Sequence, residues 1–313
     1  MKILITDEVA KEAIEKLKEK HDVVFNELRG EALAKEIGGY DALMVRSATK
    51  VTADIIKEAK NLKVIGRAGI GVDNIDVEEA SRHGIYVVNS PGGSTRSVAE
   101  LAIAMMFSLA RKITIADKTM KKGEWAKKKL KGIELQGKIL GLIGSGRIAQ
   151  EVAKIASCLG MKLLVYSPHC TQEKAKSMNA ELKSMEEIFE TADFISLHIP
   201  LTKETYHMID KNLLNKMKKN AYLIDVARGG IVDEEALYSI LKDGKIAGAA
   251  IDVYENEPYK GKLAELENVV LTPHIGASTK EGQIRAGVIC AEQILKVLDG
   301  KEPDYWVNKD MMK

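Results

Sequence analysis

Three residues far apart in the chain, Arg228, Glu257 and His274, are of the types needed to oxidise an alcohol. A hydride leaves a carbinol carbon only as the hydroxyl loses its proton, so a base must lie within reach. An imidazole, with an unperturbed pKa of about 6.5, suits that task near neutral pH. His274 falls in Thr272-Pro273-His274-Ile275-Gly276, a turn after an apolar run and between two domains. Glu257, in Glu255-Asn256-Glu257-Pro258, is the carboxylate that would hold the tautomer of that ring. Arg228, between Ala227 and Gly229-Gly230, can grip a carboxylate with two parallel hydrogen bonds and polarise a carbonyl. The plainer reading of Arg228 is a surface arginine beside a turn. Among the other histidines, His21, His83 and His207 read as polar surface, and His198, ahead of Pro200, reads as structural. His169 follows a strand and is a candidate for the adenosine end of a nucleotide.

The hydride also needs an acceptor, and residues 138–167 can bind one. A strand-length apolar run, 139–143, ends in Gly144-Ser145-Gly146-Arg147-Ile148-Ala149, a G-x-G-x-x-A turn. Ile148, Val152, Ile155, Ala156 and Leu159 follow at helical spacing, Gly160 stops the helix, and 162–166 reads as a second buried strand. Strand, tight turn, helix and strand in this order form the unit that binds a dinucleotide. Gly144 permits the turn, and Gly146 lets backbone approach a pyrophosphate. Ala149 lets the helix pack on the strand, and the free N–H groups of the first helical turn face the anion.

The elements around these residues alternate. Residues 1–90 read as strands at 2–6, 22–25, 42–45, 64–66 and 85–88 with helices between them. That rhythm specifies a parallel sheet covered on both faces. In such sheets ligands lie beyond the carboxyl ends of the strands. Arg46 and Arg67 stand at two of those ends, so they read either as anion holders or as exposed loop arginines. After Pro91-Gly92-Gly93, a Ser97-x-x-Glu100 capping box predicts one long helix to about residue 121. The basic stretch 121–131, with Trp125 inside it, reads as solvated surface or as a phosphate-facing edge. From 138 to 273 about six strands are expected, with Ser167, His198, Arg228, Asp252 and His274 at their ends. Asp233-Glu234-Glu235 should cap one helix and Ser278-x-x-Glu281 should open the last. A polar tail follows, in which Tyr305-Trp306-Val307 is placed to dock on the first domain.

Composition excludes several functions. With 313 residues, 45% hydrophobic and 29% charged, two soluble domains are expected. A net charge of +2 gives no field for nucleic acid. The longest apolar stretch, 98–110, contains Glu100 and is too short to span a membrane, and no signal peptide is expected. Three scattered cysteines form no C-x-x-C pair, which fits a reducing cytoplasm and no metal site.

The chain resembles the D-isomer-specific 2-hydroxyacid dehydrogenases over nearly its whole length. The matching stretches are Val45-Arg46-Ser47-Ala48-Thr49, Gly66-Arg67-Ala68-Gly69, Asn89-Ser90-Pro91-Gly92-Gly93, Ala227-Arg228-Gly229-Gly230 and Pro273-His274-Ile275-Gly276-Ala277-Ser278. The resemblance implies two doubly wound parallel-sheet α/β domains, a Rossmann cofactor domain (93–278) inserted into a flavodoxin-like substrate domain (1–92 and 279–313). It places the catalytic triad on Arg228, Glu257 and His274. It places cofactor contacts on Gly144, Gly146, Arg147, Ile148, Ser167, Ile199, Pro200, Val226, Ala227, Asp252, Gly276 and Ala277, with Arg228 and His274 adjoining them. Substrate contacts fall on Arg46, Ser47, Arg67 and Ser94, and Lys127 matches a basic residue that reaches a neighbouring subunit's site. The implied substrate is a small phosphorylated 2-hydroxy acid, and the implied assembly is a homodimer through the cofactor domain. Sibling reductases share the triad, and a nucleotide-sensing corepressor is the alternative from another class. Three departures stand out. Ser167 replaces the acid that would bond the ribose 2′-hydroxyl, so NAD is expected but NADP stays open. Ile70 replaces a threonine on the nicotinamide side. The regulatory domain that follows this point in longer members is not expected.

Overall fold

The structure is a computed structural model that describes residues 1–312. It divides into two compact units, Met1–Thr95 with Ala277–Lys313, and Arg96–Gly276.

Among the described residues the first unit is built on five parallel strands: β1 (Lys2–Ile5), β2 (Asp22–Phe25), β3 (Ala42–Val45), β4 (Val64–Arg67) and β5 (Tyr86–Val88). Their order, β2-β1-β3-β4-β5, is the flavodoxin-like doubly wound order. All four residues of β3 are buried, as expected for a strand covered on both faces. Alternation sends Ile3, Ile5 and Met44 to one side and Leu4, Leu43 and Val45 to the other. The first side is covered by helices Lys11–Lys18 and Lys280–Leu298, the second by Gly30–Glu36 and Ala53–Glu58. Gly66 has no room for a side chain, because a Cβ there would lie 2.5 Å from Ile294 Cδ1. The tail docks as its aromatics suggest. Val88 bridges Trp306 antiparallel, and the Tyr86 and Trp306 rings lie 4.7 Å apart. Buried Asn308 accepts from Val87 N and donates to Ile85 O.

The second unit carries seven parallel strands among the described residues: β6 (Ile139–Ile143), β7 (Lys162–Tyr166), β8 (Ala180–Leu182), β9 (Phe194–Leu197), β10 (Tyr222–Asp225), β11 (Gly248–Ile251) and β12 (Val269–Leu271). The order β12-β11-β10-β9-β6-β7-β8 is the Rossmann order with one strand added at the edge. Its switch point lies between β6 and β9, where the connections leave in opposite directions. Phe194, fully buried in β9, stacks on Tyr222 at 5.1 Å. Burying a side chain of that size stabilises the fold by roughly 1.5–3 kcal/mol.

Four local expectations need correction. Seven strands replace six, because the three-residue edge strand β8 is too short and too weakly buried to show a period. The long helix is two, Thr95–Arg111 and Ile113–Lys121, broken at Lys112 with φ 52°. The first of these starts ahead of Ser97, and Glu100 pairs with Arg96 Nε at 2.5 Å instead of closing a capping box. The last helix is capped by Thr279, which accepts from Gly282 N at 3.0 Å, one residue beyond Ser278. The Asp233 cap forms as expected, accepting from Ala236 N at 2.9 Å.

Candidate active site

The parallel order brings the ends of β6, β7, β9, β10 and β11 to one edge of the second unit. At β6, Gly144 has φ 113°, and a Cβ there would lie 2.4 Å from His198 O. Only glycine fits both conditions. Its N–H donates to Tyr166 O at 2.7 Å, which draws the β7 end and half-buried Ser167 beside the turn. Gly146 is exposed, with open space where a Cβ would stand, and it is the N-cap of the helix Arg147–Cys158 without any side-chain cap. Arg147 is exposed and Ile148 half-buried on the first turn, and Ala149 is fully buried against the sheet. Uncapped N–H groups at the end of a helix this long bind anions. These residues fit the diphosphate of a dinucleotide.

Ile199 Cγ2 would lie 3.2 Å from a Cβ on Gly144, so the His198-Ile199-Pro200 loop borders the same turn. The His198 ring makes one contact, with Nε2 2.9 Å from Ser196 Oγ. Burial pushes its pKa down to about 3, so the ring is neutral.

The histidine reserved for proton transfer meets its carboxylate. His274 Nδ1 donates to Glu257 Oε1 at 2.9 Å and Oε2 at 3.0 Å. An ionised carboxylate can only accept, so Nδ1 carries the proton, and in the neutral ring Nε2 presents its lone pair. Both side chains are nearly half exposed, so the pair adds little to stability. Its effect is orientation. His274 is held at φ 53°, in the left-handed region that non-glycine residues rarely enter. Asp252 holds it there. That carboxylate, 1% exposed, accepts from Thr272 Oγ1 at 2.6 Å, Ile275 N at 2.8 Å and Gly276 N at 2.9 Å. Asp252, expected as a cofactor contact, commits both of its oxygens to the His274 turn.

Arg228 follows β10 in a half-buried turn and donates from Nη1 to Ala227 O at 2.7 Å. Val226 and Ala227 before it are buried. Asp225, at the end of β10, accepts from Ala227 N at 2.9 Å. Burial, together with the charge of Asp252, raises its pKa to about 7 against the Ala227 bond and Arg228. The Arg228 turn packs directly on the segment that carries Glu257. A Cβ on Gly229 would stand 1.8 Å from Tyr254 O. The Tyr254 hydroxyl in turn lies 2.9 Å from Thr272 O. Backbone from three strand ends is thereby tied into one cluster that carries Arg228, Glu257 and His274.

The other expected contacts, apart from Lys127 in the second unit, belong to the first unit. Arg46 and Arg67 stand at the ends of adjacent strands, with Val45 paired to Arg67. The Arg67 guanidinium fills the space over Gly69, where a Cβ would lie 1.3 Å from Nη1. Arg46 Nη1 donates to Glu8 O at 3.0 Å, and its backbone N–H donates to Asp7. Ser47 is exposed, and Ser94 is buried after β5. Asp7 is a residue that sequence reasoning missed. Its carboxylate, 4% exposed, also accepts from Arg29 Nη2 at 2.7 Å and Thr49 Oγ1 at 3.0 Å. An aspartate just past an apolar strand was the available signal. Ala277 opens the returning segment of this unit. Lys127 is exposed in a short turn, Lys127–Lys129. Among the described residues no cluster of histidine, cysteine and carboxylate is placed to hold a metal ion.

A unit in Rossmann order, a glycine turn that leaves the N–H groups of a helix uncapped and an imidazole locked on a carboxylate are the features of a dinucleotide-binding fold with a proton-transfer site. The comparisons give the family. The profile described as D-isomer specific 2-hydroxyacid dehydrogenase, NAD binding domain, matches residues 103–276. The D-3-phosphoglycerate dehydrogenase of Methanocaldococcus jannaschii is 51% identical over 311 residues, which cover 98% of this chain and 59% of that protein. The hydroxypyruvate reductase of Thermotoga maritima is 48% identical over 303 residues, covering 95% of this chain and 98% of that one. Among solved structures, D-lactate dehydrogenase from Aquifex aeolicus, complexed with NAD and lactic acid, superimposes with a TM-score of 0.84 at 29% identity, covering 96% of each chain. The chain belongs to the D-isomer-specific 2-hydroxyacid dehydrogenases. It spans 59% of the length of that Methanocaldococcus jannaschii protein.

Proposed function

We propose that the chain oxidises 3-phospho-D-glycerate to 3-phosphohydroxypyruvate with NAD, the activity of a D-3-phosphoglycerate dehydrogenase in serine biosynthesis. The observation that carries this reading is the His274–Glu257 pair, which leaves Nε2 as a free base. Gly144, Gly146, Arg147 and Ile148 would hold the diphosphate, with Ser167, Ile199, Pro200, Val226, Ala227, Gly276 and Ala277 along the rest of the dinucleotide. A nicotinamide bound there would supply the hydride acceptor. His274 Nε2 takes the hydroxyl proton as the carbonyl forms, and Glu257 stabilises the imidazolium. Arg228 holds the substrate carboxylate and polarises the new carbonyl. The unit made of residues 1–92 and 279–313 is the substrate half, where Arg46, Ser47, Arg67 and Ser94 receive the phosphate. The unit 93–278 is the cofactor half. NAD is favoured because no arginine stands beside Ser167 to welcome a 2′-phosphate.

Two chains pair through the cofactor half in this reading. Support comes from Ile113, Met120 and Trp125, which are 51%, 54% and 79% exposed on one helix and the turn after it. Lys127, two residues beyond Trp125, then reaches the other subunit's substrate. No described helix is long and apolar enough to cross a membrane, and the three free cysteines suit a reducing cytoplasm.

A reductase of glyoxylate or hydroxypyruvate is the second reading, favoured by the near-complete overlap with the Thermotoga maritima reductase. Initial rates with 3-phospho-D-glycerate and D-glycerate, each with NAD and NADP, separate the two. A phosphate preference that vanishes in Arg46→Ala and Arg67→Ala is the expected result. His274→Ala should lower kcat at least about 100-fold while cofactor still binds. Near-normal turnover in that variant would refute the reading.

A further inference from the structure

His207, which reads from sequence as polar surface, grips both loops of the candidate site. Its backbone N–H donates to Gly230 O at 2.8 Å, two residues past Arg228. Its ring Nε2 donates to Glu255 Oε1 at 2.8 Å, two residues before Glu257. Both side chains of this pair are about 30% exposed, less than those of His274 and Glu257. The second grip is reinforced. Glu255 N donates to Glu234 Oε1 at 2.7 Å, which anchors the same segment to the start of the helix Glu234–Lys242.

The backbone at His207 supports a positioning role. The residue sits at φ 50°, in the left-handed region, like His274. A non-glycine residue persists there only where its surroundings hold it. Tyr206 stacks on the imidazole at 4.0 Å, and its ring edge would lie 3.4 Å from a Cβ on Gly230. Ile209 N donates to Ile231 O at 3.1 Å, so the whole strap lies along the segment after Arg228.

We propose that His207, through Glu255, is a positioning residue for the His274–Glu257 pair. This rests on the catalytic roles assigned above. Glu257 must point both oxygens at His274 Nδ1 from an exposed loop. Backbone packing at Gly229 fixes one side of that loop, and His207 fixes Glu255 from the other. Releasing the ring lets Glu257 drift while the Arg228 turn keeps its backbone bond to His207. The loss therefore falls on proton transfer more than on substrate binding.

His207→Asn is the suitable variant, because asparagine tolerates the left-handed region and keeps the backbone N–H. It is too short to reach Glu255. The expected result is a fall in kcat of about tenfold, with KM and the cofactor dissociation constant within about twofold of wild type. Glu255→Ala should match it. Glu255→Gln, which retains an acceptor oxygen, should recover most of the rate. The double variant His207→Asn/Glu255→Ala should be no slower than either single one, because both remove the same contact. Nitrogen NMR of the His274 ring gives a readout without turnover. The Nδ1–H signal should broaden or shift in His207→Asn and return in Glu255→Gln. An unchanged His274 signal in His207→Asn, or a Glu255→Gln variant as impaired as Glu255→Ala, would overturn the proposal. A wild-type chain that oxidises no 2-hydroxy acid would refute the proposed function, while the NMR comparison would still decide the role of His207.

Discussion

Asp225→Asn should make the protein more stable at alkaline pH. Asp225 is 2% exposed and its pKa is raised from 3.8 to about 7, with burial the main cause. A carboxyl group that is harder to ionise when folded favours the folded state at low pH. That stability is fully present below the unfolded pKa. It is lost as pH rises toward the folded value, because the native state still binds a proton that the unfolded chain has released. Across the window from pH 5 to pH 8 the two pKa values imply a loss of roughly 3 kcal/mol from this one group. Asparagine cannot ionise, and its oxygen can still accept from Ala227 N, the bond that Asp225 makes at 2.9 Å. Its amide is neutral like the protonated acid, though it brings two N–H donors in place of one O–H. Urea unfolding of both proteins at pH 5 and pH 8 isolates the effect, since all other groups titrate alike in the two. The wild type should lose roughly 3 kcal/mol more than the variant over that range. Stability curves that stay parallel within about 0.5 kcal/mol would show that Asp225 ionises normally and that the burial argument is wrong.

Two further perturbations probe the backbone that carries the site. Gly229→Ala would put a Cβ 1.8 Å from Tyr254 O, and both partners are backbone, so the loops must part. Unfolding free energy should fall by about 1–3 kcal/mol, and a KM for substrate equal to wild type would contradict the close packing. Asp7→Ala would remove the acceptor of Arg29 Nη2 and of the Arg46 N–H. Urea melts should show a loss of about 2–4 kcal/mol, whereas a loss under about 0.5 kcal/mol would mean that water replaces the carboxylate at no cost.

Sequence reasoning was strongest where a pattern is local and repeated. The run 139–166 announced strand, glycine turn, helix and strand, and the structure places each within a residue or two. Strand ends also located the polar residues of the second unit, because parallel order forces them to one edge. What escaped was set by partners distant in sequence. Nothing near Lys112 is glycine or proline, yet the helix breaks there, with its left-handed residue between two helices. Asp252 was visible as a strand-end acid, but not that its oxygens are spent on Thr272, Ile275 and Gly276. His207 looked like surface because the residue it holds, Glu255, lies 48 positions further on.

The returning helix Lys280–Leu298 has a consequence for how the protein is made. It covers one side of β1, β3 and β4, yet the ribosome delivers it after all of Arg96–Gly276. At about 5–20 residues per second that delay is on the order of ten seconds or more. The nascent amino-terminal sheet must wait that long with Ile3, Met44 and Val64 short of their cover. The middle of the polypeptide can finish burying its own core meanwhile. In the cell the last unit to mature is the one that was begun first.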